Sequence, residues 1–185
     1  LIIPPYISPF QINQIITINS EVFACAIKAW ERAVEEWKRA NPNTTKHLDE
    51  TRKSNFIFGH AAQFAHNNAF IDCGVEIDVP DNPYAPFDRK VAGVCQDDKL
   101  ANPGKLDELS KYHYASLEEI AFWNSEVKAG RDVYLQSFEV LSPFECRYRG
   151  PISYRLSQAE WRPAGDDKMS LMREPAYKHN IPRFK

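Results

Sequence analysis

The stretch Ser20–Asn41, SEVFACAIKAWERAVEEWKRAN, restricts this chain more than any other part of it. Phe23, Trp30 and Trp37 recur at every seventh residue, with Ala26, Ile27, Ala33 and Val34 between them. On a helix these seven and Val22 fall within one arc roughly 140° wide. Glu21, Lys28, Arg32, Glu35, Glu36 and Arg39 take the opposite side. Ser20 suits the N-cap, Glu21 the positive end of the helix dipole, and Lys38 and Arg39 the negative end. Pro42 stops the helix. An amphipathic helix of this kind needs a partner for its apolar stripe.

The partner is expected in a second helix over 49–70. Phe56, Ile57, Phe64, Phe70 and Ile71 form one apolar side, and Ala61, Ala62, Ala65 and Ala69 form a small-residue side opposite. A helix that is apolar on two sides sits between neighbours, and alanines let another helix approach closely. The pair is therefore expected to form an antiparallel helical hairpin. Asn102-Pro103 opens a further helix over 103–114, and the capping box Ser116/Glu119 opens one over 117–129 that ends at Gly130. Short strands are expected at 75–79 and 152–156, while 132–141 suits helix and strand equally. Residues 73–105 otherwise read as a long proline-interrupted loop. The expected fold class is mainly α, in one domain: a helical body over 20–162 between extended proline-bearing arms, 1–19 and 163–185.

The chain has 185 residues, enough to bury a core without metal or disulfide staples. Its 23 basic residues against 25 acidic ones argue against broad nucleic-acid binding, which needs a basic surplus. No apolar run approaches the ~20 residues that cross a bilayer, which leaves only peripheral membrane contact open. The first residues, LIIPPYISPF, lack an initiator Met and do not resemble a signal peptide. A processed chain, imported into an organelle or otherwise cleaved, is one expectation; absence of the first residues is the other. Cys25, Cys73, Cys95 and Cys146 form no CxxC, and free thiols are expected.

Chemistry is sparse. On the second helix His60, Gln63 and Asn67 share the angle of Phe56 and Phe70, so three polar groups sit on an apolar stripe. They read as a hydrogen-bonded core network or as a small-molecule or catalytic site with His60 as base. Cys25, between Glu21, Lys28 and Arg32, is the candidate nucleophile, with His60 or His66 as its partner. His60 and His66 stand too far apart around a helix to chelate one ion, and no HxxxH or HExxH pair occurs. His47, His113 and His179 read as surface residues. The acidic groups Asp78, Asp81, Asp88, Asp97 and Asp98 lack the pattern of a calcium loop and read as a solvated loop. No phosphate loop, nucleophile elbow or dinucleotide fingerprint is present, so no metal and no cofactor is expected.

The arms carry Tyr6, Phe10, Trp161, Tyr177 and Phe184, aromatics that are costly to expose. Thirteen prolines against seven glycines suit segments that lie along other surfaces. The functional expectation is a non-catalytic accessory subunit that holds neighbouring proteins in an assembly through these arms. The alternatives are a small enzyme using Cys25 or His60, or a small-molecule-binding helical domain.

Overall fold

A computed structural model describes residues 4–43, 50–82, 85–101 and 112–172 of the chain. It is a mixed α/β fold, 41% helical and 29% strand, which corrects the mainly helical expectation. Five strands form one curled sheet: β1 (Ile15–Thr17), β2 (Arg89–Val91), β3 (Val94–Ala101), β5 (Tyr134–Ser142) and β6 (Glu145–Ser153), in the order β1-β6-β5-β3-β2. Among the described strands only β3 and β5 run parallel. The crossover between them carries β4 (Tyr112–Ser116) and the helix α3 (Leu117–Lys128). β4 joins β7 (Arg162–Pro163) and β8 (Lys168–Met172) in a smaller sheet of order β4-β8-β7.

The helices read from the sequence are present. α1 (Ser20–Ala40) packs against α2 (Glu50–Asp72), with Trp30 and Phe56 in edge contact at 5.4 Å. Ala26, Ala61 and Ala62 are buried in one cluster, as the small-residue stripe required. The N-cap, however, is Asn19, whose side chain accepts from the backbone N–H of Val22 at 2.9 Å. α3 carries the expected capping box in full: Ser116 and Glu119 satisfy each other's backbone N–H. Of the helix expected over 103–114, residues 103–111 lie outside the described residues, and Tyr112–Tyr114 belong to β4.

The corrections fall on the sheet. The long loop holds β2 and β3, and only Asp78 of the strand expected at 75–79 makes a bridge, to Lys90. Residues 134–142 are strand, and the expected strand at 152–156 is the end of β6 followed by a helical turn, α4 (Tyr154–Ser157). The C-terminal arm was expected from 163, yet Arg162–Met172 still pair within the smaller sheet.

The five-stranded sheet separates two cores. One packs Ile16, Val22, Ala26, Ile57, Phe138 and Tyr148 between the sheet and α1/α2. The other packs Trp123, Val133, Leu135, Ile152, Trp161 and Leu171 between the sheet, α3 and the smaller sheet. Consecutive residues of β3 therefore face different cores. Gln96 and Asp98 point toward α2, while Asp97 and Lys99 point toward α3, where Lys99 Nζ meets Asp97 at 2.9 Å and Glu119 at 2.8 Å. Among the described residues no helix is long and apolar enough to cross a membrane.

Candidate functional site

Two features beside α2 carry polar chemistry, a buried seam against the sheet and an open cavity against α1, and Asn67 takes part in both. The seam begins with Arg89, which is 0% exposed at the start of β2. A buried guanidinium needs a countercharge and partners for its N–H groups. Its Nη1 and Nη2 donate to Asp98 Oδ1 and Oδ2 at 2.7 and 2.5 Å, and its Nε donates to Asn67 Oδ1 at 2.5 Å. Phe70 lies against the same guanidinium, 5.5 Å from ring centre to Cζ. Burial alone would raise the pKa of Asp98; Arg89, with help from His66, overrides it and holds the carboxyl at about 2.

His66, fully buried on α2, stands on the other side of Asp98. Its Nδ1 lies 3.0 Å from Asp98 Oδ1, and its Nε2 lies 2.9 Å from Ser8 Oγ. An ionised carboxylate only accepts, so Nδ1 carries the proton and donates to Asp98. Nε2 is then a lone pair that accepts from the Ser8 hydroxyl. Burial depresses the pKa of His66 more than Asp98 raises it, and Arg89 adds to the depression, so the imidazole is neutral. A serine hydroxyl, a neutral imidazole and an ionised carboxylate thus stand in line, each on the correct ring nitrogen.

Ser8 is held there by its own segment. Gln96 Nε2 donates to the carbonyls of Pro5 and Ile7 at 2.7 and 3.0 Å, and Gln136 Nε2 donates to that of Tyr6 at 3.3 Å. The hydroxyl of Tyr148 donates to Gln136 Oε1 at 2.6 Å, fixing which way that amide points. Phe10 stacks on His66, with centroids 5.2 Å apart and planes at 22°. Ser8 itself is half-buried. Beyond Asp98, the carboxylate of Asp88 accepts from the Asp98 backbone N–H at 2.7 Å. Burial and the neighbouring Asp98 charge push Asp88 up to about 7.

The cavity, about 890 Å³, opens between the first turns of α1, the last turns of α2 and residues 74–79. Its third wall exists because α2 stops sharply. Gly74 takes φ 71°, and the N–H groups of Gly74 and Val75 turn back to the carbonyls of Ile71 and Phe70 at 2.9 and 3.0 Å. This double return needs a left-handed residue, which glycine supplies without strain. Cys25, Phe64, Asn67, Ile71, Glu76 and Val79 are among the lining residues.

The structure sorts the residues singled out by sequence as follows. Cys25 and Asn67 come together on the cavity wall, which includes neither His60 nor Gln63. His60 stacks on Phe56 at 3.8 Å and donates from Nδ1 to the Phe56 carbonyl at 3.0 Å, while Gln63 is half-buried. Tyr6 lies 5.7 Å from Tyr134, and Phe10 packs on His66, Phe138 and Tyr148 of the same chain. Trp161 is a core residue, 5.8 Å from Trp123. Tyr177 and Phe184 lie outside the described residues, as do His47 and His179. His113, expected at the surface, is fully buried with Nε2 2.9 Å from Ser137 Oγ. Asp97 and Asp98, expected in a solvated loop, lie in β3, and Asp88 lies just before β2; all three are buried or half-buried. All four cysteines are free, Cys25 and Cys73 exposed, Cys95 and Cys146 buried.

Sequence reasoning missed Ser8, Arg89 and Asp98 as site residues, because no local spacing links three segments so far apart. The one available signal was the fixed α2 phase, which placed His66 away from the solvent side. The class defined is a mixed α/β domain with a buried Arg–Asp–His–Ser seam beside an open cavity. No family model matches the chain, and neither a curated protein nor a solved structure is significantly similar to it.

Proposed function

We propose that the chain is an acyl-transfer enzyme in which Ser8 is the nucleophile, His66 the general base and Asp98 the group that orients His66. The observation that supports this reading is the Ser8–His66–Asp98 line, with Nε2 on the hydroxyl and Nδ1 on the carboxylate. Ser8 Oγ would attack the carbonyl of an ester, its proton passing to His66 Nε2 and then to the departing alcohol. The Ser8 O–C bond forms as the ester C–O bond breaks, and water reverses the first half to release the acid. Gln96 and Gln136 contribute positioning, since they anchor the backbone on which Ser8 sits. Arg89 keeps Asp98 ionised but shares its charge, which weakens stabilisation of the imidazolium and makes for slow turnover.

The enzyme reading is tested with p-nitrophenyl acetate. Nitrophenolate release should accompany acetylation of the peptide carrying Ser8, and both should vanish in Ser8→Ala. His66→Gln should slow acetylation by about 10²–10⁴-fold. The rate should climb with pH as His66 loses its proton and pass its half-maximum below pH 6.5, since burial holds the imidazole below its ordinary value of 6.5. A folded wild-type chain whose Ser8 stays unmodified would overturn the proposal, whatever the variants do.

A further inference from the structure

We infer that the cavity between α1, α2 and residues 74–79 is a binding site for a small organic cation with an apolar body, such as an alkylammonium. It is distinct from the Ser8 seam and does not rest on it. The size is right: about 890 Å³ falls within the roughly 300–1,000 Å³ of small-molecule pockets. The walls are apolar where Phe64, Ile71, Val75, Ile77 and Val79 contribute. Ile71 is 62% exposed and Val79 45%, apolar surface that an occupant would cover.

Charge sets the sign of the occupant. Glu21 and Glu76 are the charged residues on the described wall, and no lysine or arginine lines it. An ammonium group therefore meets two carboxylates and no opposing cation. Asn67 supplies the second observation. It is 9% exposed, and its Oδ1 is committed to Arg89, which fixes the orientation of the amide. That bond leaves its Nδ2 N–H groups uncommitted, and Asn67 lines the cavity, so the amide offers a donor at the wall. An ammonium compound with a hydroxyl or ether oxygen would satisfy both the carboxylates and this amide.

Two cysteines report on occupancy without being part of the proposal. Cys25 is exposed on the cavity wall, and Cys73 is exposed but outside it. Alkylation of both is followed by mass spectrometry on the full chain with octylammonium, 3-octyloxypropylammonium or octanoate present. The two ammonium compounds should slow reaction at Cys25 at least threefold, the ether more than the plain amine, and leave Cys73 unchanged. Octanoate should slow neither. In Glu76→Gln, an exposed substitution that leaves the core untouched, the protection of Cys25 should fall. The inference is overturned if no ammonium compound protects Cys25, if octanoate protects it equally, or if Cys25 and Cys73 are slowed together. None of these outcomes depends on Ser8 chemistry.

Discussion

Replacing Arg89 with methionine is expected to cost the fold about 3–5 kcal/mol at pH 8, the largest single-residue loss we anticipate. The guanidinium is fully buried and donates three hydrogen bonds, two to Asp98 and one to Asn67. Without it Asp98, whose side chain is 1% exposed, keeps a charge with only His66 beside it, and Asn67 Oδ1 loses its donor. Removing one partner of a buried pair is far worse than removing both, because the survivor keeps its desolvation cost. The double substitution Arg89→Met with Asp98→Leu should therefore recover most of the loss. Acid should help the single variant. Arg89 is one of the groups that hold the pKa of His66 down, so its removal lets the imidazole take a proton opposite Asp98. A folded-state pKa raised in this way adds stability as pH falls, so the deficit should shrink between pH 8 and pH 5.5. Urea unfolding at the two pH values measures this, and a loss under 1 kcal/mol at pH 8 would show that Asp98 finds another countercharge.

The helices were legible and the sheet was not, for one physical reason. α1 and α3 each face solvent on one side, so their apolar residues repeat at the helical period and their caps stand in the chain as Asn19 and Ser116/Glu119. β3 and β5 lie inside the sheet with a core on both faces, so period-2 alternation does not apply. What these strands bury is partly polar: Gln96, Asp97, Gln136, Ser137 and Glu139 are all less than 5% exposed. A run such as VCQDDKLA reads as a wet loop until Arg89 and His66 come into position beside Asp98, and Glu119 beside Lys99. Those pairings span from 9 to 32 residues of sequence, as Arg89 and His66 do with Asp98. The N-terminal aromatics could be read as needing cover, but not which surface gives it: Tyr6 and Phe10 meet rings of β5, β6 and α2 of the same chain, elements remote in sequence. For the cavity, Asn67 and Cys25 could be named from helical phase, whereas the wall formed by 74–79 depends on the turn at Gly74.

Asp88 gives the clearest pH signature. Its carboxyl is pushed from an ordinary 3.8 up to about 7, first by burial and then by the charge on Asp98, which lies 10 residues on in sequence and donates its backbone N–H to Asp88. A folded-state pKa above the unfolded value stabilises fully below the unfolded value and is lost as pH rises through the folded one. The loss should therefore run from about pH 4 to pH 7, with a slope approaching 1.4 kcal/mol per pH unit at most (about one pKa unit of binding energy each). Other groups pull the opposite way. Asp98, held at about 2, contributes stability above pH 3.8 that fades as pH falls toward 2. His66 and His60, both lowered by burial, make the fold weaker as pH drops below 6.5, because the unfolded chain takes protons that the folded one refuses. The wild-type profile is the sum of these and cannot isolate Asp88, but Asp88→Asn can. Asparagine still accepts from the Asp98 N–H, resembles the protonated acid, and relieves Asp97, which Asp88 helps to raise. The variant should match wild type near pH 4.5 and exceed it increasingly toward pH 7.5, as the wild-type carboxyl is forced to ionise beside Asp98. Urea midpoints at pH 4.5, 6 and 7.5 test this; a difference that stays flat across the three would mean that Asp88 ionises at its ordinary pH and that solvent reaches it freely.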